Sequence, residues 1–245
     1  MADHLTEEEQ IEAIKSWWKE NWLSIVLPIV LVGGAYLAWD FWTDQKVAKA
    51  EAASDQYALI IDQVSQAQQS EMGAELSDEQ KQSISEAAKT LIEDYPKSRY
   101  ARLSELMLAK LAVESNEYDA AISSLESVVE NAKDVALAEL AKARLAKVYL
   151  ASGDADKALS VIPANISDAN KTLFSEIKGD IYVAKGETAL ANTAYQTAID
   201  SLPSDQFSRR GLLSLKLNNT KVESANAAAT DSEATSDDAA AEASE

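Results

Sequence analysis

Side chains able to do covalent or proton-transfer chemistry are sparse in this chain and never converge. The sole histidine, His4, lies in an acidic stretch near the start, and there is no cysteine. Without thiols there is no disulfide, thiolate metal site, sulfur nucleophile or lipid-bearing cysteine, which fits an oxidising compartment without demanding one. No glycine-rich phosphate loop and no HExxH pair occurs. Glu7-Glu8-Glu9 and Asp237-Asp238 are adjacent carboxylates that read as solvated charge runs, not metal ligands. A net charge of −19 repels phosphate backbones and argues against nucleic acid. The expectation is therefore a chain that is not an enzyme, with no cofactor, metal or small-molecule substrate.

What remains is recognition. Three sets of mixed apolar and charged residues recur: Leu103, Leu106, Lys110 and Val113; Leu140, Ala143, Lys147 and Leu150; Leu173, Glu176, Asp180 and Val183. Each follows the same three- and four-residue steps, which place its members on one helix face. Such a lining suits a bound protein segment better than a small molecule. For any single apolar member, a place in the core is an equally good reading.

The elements that would position these faces are repeated. Ser115-Asn116-Glu117-Tyr118-Asp119-Ala120-Ala121, Ser152-Gly153-Asp154-Ala155-Asp156-Lys157-Ala158 and Lys185-Gly186-Glu187-Thr188-Ala189-Leu190-Ala191 align with one another. Each follows one apolar-periodic helix and opens another. Asn116, Gly153 and Gly186 are types that tolerate positive φ, as tight helix ends require. Small residues coincide before the turn (Ala109, Ala146, Gly179) and after it (Ala121, Ala158, Ala191), where two helices must cross closely. Tyr149 and Tyr182, with Leu125, Ile162 and Tyr195, fill the gaps. The spacing resembles the tetratricopeptide repeat, a helix–turn–helix unit of about 34 residues. The best unit, Gly179 to Pro203, has Ser175 and Lys178 where that motif carries large residues.

Ahead of the repeats lies an uncharged run from Asn21 to Trp39, bracketed by Lys19, Glu20 and Asp40. About 20 apolar residues match the roughly 30 Å hydrocarbon core of a bilayer. The run has no polar face, and its acidic start and bulky end do not suit a cleaved signal peptide. Trp17, Trp18 and Trp22, then Tyr36, Trp39, Phe41 and Trp42, form two aromatic belts. Pro28 can kink the span, and Gly34 with Ala38 forms a small-xxx-small pair that would let another helix approach. Lysines balance across the span, with Lys15 and Lys19 against Lys46 and Lys49, so charge leaves its orientation open.

The expected architecture is all-α: an amphipathic head over 1–21, a transmembrane helix over 22–42, a helical-repeat domain over 43–219 and a disordered acidic tail over 220–245. In the head, Thr6 and Glu9 have capping-box spacing, and the helix is placed to turn from the interface into the membrane. Tyr57, Ile60, Ile61 and Val64 carry the helix past the span and onto the body. A loop over 70–77 follows, then a helix from Ser77 to about Asp94. Ser204 is the expected cap of a last helix containing Phe207, Leu212, Leu213, Leu215 and Leu217, with a short strand as the alternative.

Three stretches carry a wider resemblance. They are Glu8-Glu9-Gln10-Ile11-Glu12-Ala13-Ile14-Lys15 with Trp17-Trp18 and Glu20-Asn21; Trp39-Asp40-Phe41-Trp42 leading to Tyr57; and Leu215-Lys216-Leu217-Asn218-Asn219. Over residues 7–219 the chain resembles the YfgM family, single-pass ancillary subunits of the bacterial Sec translocon. Trp22 departs from it, standing where glycine is expected, and the acidic tail has no counterpart. The resemblance implies a cytoplasmic head, one inner-membrane helix and a periplasmic repeat domain. It also implies association with the SecYEG translocon and a PpiD-like periplasmic chaperone. The alternative is an envelope scaffold acting in division or outer-membrane assembly.

Overall fold

The computed structural model describes residues 7–70 and 76–221. Two compact units divide the chain, Met1–Asp55 and Gln56–Glu245. The Thr6–Glu9 capping pair, most of the 70–77 loop and the tail from residue 222 onward lie outside the described residues.

The first unit is helical throughout, as the start of α1 (Glu7–Ser70, 64 residues). No glycine or proline stands between Glu7 and Trp22, and the helix runs from head into span without a turn. It continues through Pro28, which lacks the N–H that would bond the Ser24 carbonyl; membrane helices tolerate such a loss where neighbouring groups or water re-satisfy the freed carbonyl. Asn21 Nδ2 donates to the Trp17 carbonyl at 2.9 Å, and Thr43 Oγ1 to the Asp40 carbonyl at 2.8 Å. Polar groups at both ends of the span thus find partners within the helix. Between them the apolar side chains stay uncovered: Ile29, Val30, Leu31 and Val32 are 66, 62, 63 and 70% exposed. Burying a side chain of this kind is worth about 1.5–3 kcal/mol, so such a surface calls for hydrocarbon around it. Among the described residues, α1 is the one helix long and apolar enough to cross a membrane. At the far end of the apolar span Lys46 Nζ sits 3.1 Å from the centre of the Trp42 ring, whose neighbour Trp39 lies 5.7 Å away. A cation over an interfacial aromatic suits the headgroup level.

The second unit is a stack of helical hairpins. After the end of α1 come α2 (Asp78–Asp94), α3 (Arg99–Glu114), α4 (Tyr118–Asn131), α5 (Val135–Ala151) and α6 (Ala155–Ser160). The last three are α7 (Asp168–Ala184), α8 (Thr188–Asp200) and α9 (residues 207–221). Local chemistry sets the starts. Ser77 and Gln80 form the expected capping box on α2, Ser98 Oγ accepts from Ala101 N on α3, and Asp134 and Asp154 cap α5 and α6. Tyr95 ends α2 before Pro96, because a residue preceding proline is pushed out of helical geometry.

Three turns share one geometry. Asn116, Gly153 and Gly186 have φ of 59°, 89° and 74°. Beyond each, the N–H of Glu117, Asp154 or Glu187 donates at 2.8 Å to the carbonyl of Ala112, Tyr149 or Tyr182. This six-to-one bond is the Schellman closure, and it satisfies a carbonyl that the ending helix leaves bare. The small residues meet as the repeat register requires: Ala121, Ala146, Ala158 and Ala191 are fully buried, and Gly179 lies against the Tyr195 ring.

The core runs through the stack. Tyr57, Ile60 and Val64 of α1 pack with Ile84, Leu91 and Leu111, whereas Ile61 points outward. Leu125, Tyr149, Phe174 and Ile177 belong to a central cluster spanning α3 to α7. Tyr195, Leu213 and Leu217 close the last cluster. Glu139 of α5 holds the start of α7, accepting from Ser167 Oγ at 2.7 Å and Asn170 Nδ2 at 2.6 Å.

Two elements depart from the sequence expectation. Helix α6 stops at Ser160, so Ile162 fills its gap from an irregular segment; Pro163 bars Ile162 from helical geometry. At the other end, residues 213–217 are helical, which removes the strand alternative, and α9 runs through Thr220 and Lys221, past the expected boundary at 219. Thr220 is buried, with its hydroxyl donating to the Leu217 carbonyl. Ser204 lies in the preceding turn, closed by Gln206 N donating to the Pro203 carbonyl, and does not adjoin α9.

A candidate protein-binding groove

The first helices of the hairpins, α3, α5 and α7, carry the residues expected to line a groove. One stretch of that surface is a true hollow, about 370 Å³ in volume, between α3 and α5. Its floor is apolar, from Leu106, Ala109, Leu125 and Val148. The rim is charged, with Lys110 and Glu114 on α3 and Arg144 and Lys147 on α5. Lys110 and Glu114 are 3.6 Å apart and largely exposed, a weakly worthwhile contact. Arg144 and Lys147 form no ion pair among the described residues, so the rim carries a local excess of positive charge on a strongly acidic chain.

Of the expected lining residues, the structure gathers Leu106, Lys110, Val113 and Lys147 around this hollow. Leu103, Leu150 and Leu173 are half-buried and pack against the central core instead. Ala143 is fully inside it, 2% exposed. Leu140 and Val183 are exposed but lie away from the hollow. Sequence reasoning passed over Arg144, which reads by itself as an ordinary solvated charge. Its signal was its spacing, one turn before Lys147 on the same face.

Glu176 and Asp180 serve a different contact. Lys216 of α9 reaches both, at 3.0 Å from Glu176 and 2.7 Å from Asp180, while Arg209 lies 3.1 Å from Glu176. The Tyr195 hydroxyl donates to Asp180 at 2.7 Å. Burial pushes the Glu176 carboxyl up, but Lys216 and Arg209 outweigh it and hold it below the usual range. Burial likewise lowers Lys216, and its two carboxylates overcome that and raise it. At the last hairpin, the surface expected to bind a partner is thus covered by the chain's own α9.

A second tyrosine, in the core cluster with Leu106 and Leu125, makes a similar bond. Tyr149 donates its hydroxyl to Glu126 at 2.7 Å, and that bond, with burial, pushes its pKa up to about 12. On α3 itself, Arg102 and Glu105 form a buried pair at 3.0 Å, with Arg102 also donating to the Pro96 carbonyl and Glu105 accepting from Ser127. No cluster of metal-ligating side chains occurs among the described residues. The hollow offers an apolar floor and a charged rim.

Comparison with known proteins agrees with this architecture. The family described as a tetratricopeptide repeat-like domain matches residues 15–222. A protein of Neisseria gonorrhoeae named ancillary SecYEG translocon subunit is 30% identical over 224 residues, covering 90% of this chain and all of its own. The chain belongs to the YfgM family. Two further members bear the same name: one from Haemophilus influenzae is 28% identical over 89% of this chain, and one from Escherichia coli K12 is 26% identical over 91%. Both are matched over their full length. No solved structure matches the chain. The matched residues 15–222 take in both the apolar run of α1 and the helical hairpins.

Proposed function

We propose that this chain is a non-enzymatic subunit of the Sec translocon. In this reading α1 crosses the inner membrane, with the head in the cytoplasm and the hairpin stack in the periplasm. The stack stands beside the channel, holds segments of proteins leaving it and passes them to a PpiD-like chaperone. The observation that carries the proposal is the apolar hollow between α3 and α5, on a chain whose relatives are named for the translocon. An extended segment needs apolar pockets for alternate side chains and polar groups at the edge, and the floor and rim supply that pattern.

Photo-crosslinking from Lys147 in native membranes tests the reading. The expected adducts are SecYEG, a PpiD-like chaperone and nascent exported chains. Adducts confined to division or outer-membrane assembly proteins would replace it with the scaffold reading. A reporter fused at the C-terminus checks sidedness, and a cytoplasmic signal contradicts the proposal.

A further inference from the structure

Helices α3 and α5 border a second hollow at their opposite, N-terminal ends, about 160 Å³ in volume. That is small beside the roughly 300–1,000 Å³ of sites for drug-sized ligands, and it suits one compact group. Its lining is basic: Lys97, Arg99, Arg102 and Lys133 stand against one carboxylate, Asp134. Glu105, paired with Arg102, adds a second. Four cations against two carboxylates leave two positive charges uncompensated, on a chain of net charge −19. A local excess of this sign attracts an anion.

One of these cations is held inside the fold. Arg102 is 7% exposed, and its contacts with the Pro96 carbonyl at 3.1 Å and Glu105 at 3.0 Å both engage one nitrogen, Nη2. Its Nε is buried with no partner among the described residues. The guanidinium is therefore fixed in place while part of its charge stays unmet, which is costly for a buried ion. Lys97 and Lys133 are exposed and form no ion pair among the described residues. Arg99 comes only within 3.6 Å of Asp134, with 70% of its side chain exposed, a contact worth little. Both helices also begin here. Ser98 and Asp134 each cap one N–H, and the other first-turn N–H groups add positive partial charge.

We propose that this hollow binds a phosphate group, free or borne on a lipid headgroup. An excess of two positive charges matches a phosphate monoester, which carries about −1.5 to −2 near pH 7, whereas a lone carboxylate leaves half of it unmet. The side chains suit that ligand. A fixed guanidinium presents planar donors to phosphate oxygens, and flexible lysines close on them as point charges. Asp134 opposes an anion, but it is outnumbered, and its carboxylate is engaged by Arg99 and by the Ala136 N–H. The site stands apart from the groove reading above, since it uses the other ends of α3 and α5 and none of the groove's side chains.

The test uses the full chain in maltoside micelles, which carry no phosphate, and follows the NMR signal of the Arg102 Nε–H group. Inorganic phosphate and dihexanoyl phosphatidylglycerol are titrated separately at constant ionic strength. A saturable shift of the Arg102 signal is expected with at least one of them. K97A/K133A, which removes two exposed lysines that the fold does not use, should bind severalfold more weakly. Tighter binding of inorganic phosphate assigns the site to the free ion, tighter binding of the lipid assigns it to a headgroup, and equal binding supports the shared group. No saturable shift with either probe, or equal affinity in parent and variant, would overturn the proposal. Hexaglutamate is the third titrant, and saturation by it alone would replace the phosphate site with one for acidic protein segments.

Discussion

Gly179 lies flat against the ring of Tyr195, where α7 and α8 cross. A Cβ at Gly179 would fall 2.8 Å from the Tyr195 Cζ atom and closer still to Cε1. The ring cannot withdraw, because its hydroxyl is held by Asp180 and its face lies in the last core cluster. This contact brings the two helices of the last repeat together.

Replacing Gly179 by alanine should therefore destabilise the repeat domain. Gly→Ala inside a helix ordinarily gains about 0.5–1 kcal/mol, while overpacking a core costs about 1–3 kcal/mol, so the net loss is about 1–2 kcal/mol. Gly211 of α9 has nothing within 4 Å of its Cβ position, and Gly211→Ala should be stabilising. Urea unfolding of the detergent-solubilised chain separates the two. Equal shifts of the same sign would contradict the assigned contact.

The turn glycines test backbone geometry alone. Gly186 has φ of 74° and open space around its Cβ position, so Gly186→Ala meets no neighbour. Its cost is the left-handed backbone itself, about 1–2 kcal/mol. Gly153→Ala should behave alike, at φ of 89°. A melting temperature unchanged in both variants would mean that the turns relax to another geometry.

These features were legible because they are local. Asn116, Gly153 and Gly186 announce left-handed turns by residue type, and Ala109, Ala146 and Gly179 announce close crossings by size and register. The span from Asn21 to Trp39 declares itself by length and composition. Contacts made at a distance in sequence were not legible. Nothing near Glu176 or Asp180 says that Lys216, 40 and 36 residues away, will take their charges. The six-residue α6 was legible in principle, since Pro163 follows Ile162, but the repeat pattern argued for a full helix and local sterics won. The groove was half-legible for a physical reason: one helix face supplies both core and lining, so spacing alone cannot separate Ala143 from Lys147.

The Lys216 cluster makes the last helix sensitive to acid. Glu176 titrates below its usual range in the folded chain, so the unfolded chain binds more protons in that window. Its contribution is present above the ordinary glutamate range, near ~4.3, and is lost as pH falls through the depressed folded value. Hydrogen exchange of α9 should therefore accelerate at acidic pH, relative to α4. Lys216→Met should loosen α9 already at neutral pH, by about 1 kcal/mol, since the pairs are partly exposed and Arg209 still holds Glu176. Identical α9 protection in parent and variant across this range would assign the docking of α9 to Leu213 and Leu217 alone.

The Arg102–Glu105 pair has the opposite pH dependence. Burial raises the Glu105 carboxyl, and the Ser127 hydrogen bond and Arg102 offset only part of that rise. The folded chain then binds more protons between the ordinary and raised values, so stability falls as pH rises through that window. Arg102 Nε and Glu105 Oε2 are buried without partners among the described residues, so the pair is incompletely compensated. Glu105→Gln should gain stability relative to the parent as pH rises through the window, because the amide carries no charge to bury. Glu105→Ala should cost about 3 kcal/mol by stranding the guanidinium, and R102M/E105L should recover most of it because neither charge is then buried. Chemical unfolding at two pH values checks all three. A double variant as unstable as Glu105→Ala would show that the pair orders α3 through Ser127 and Pro96, beyond any electrostatic balance of its own.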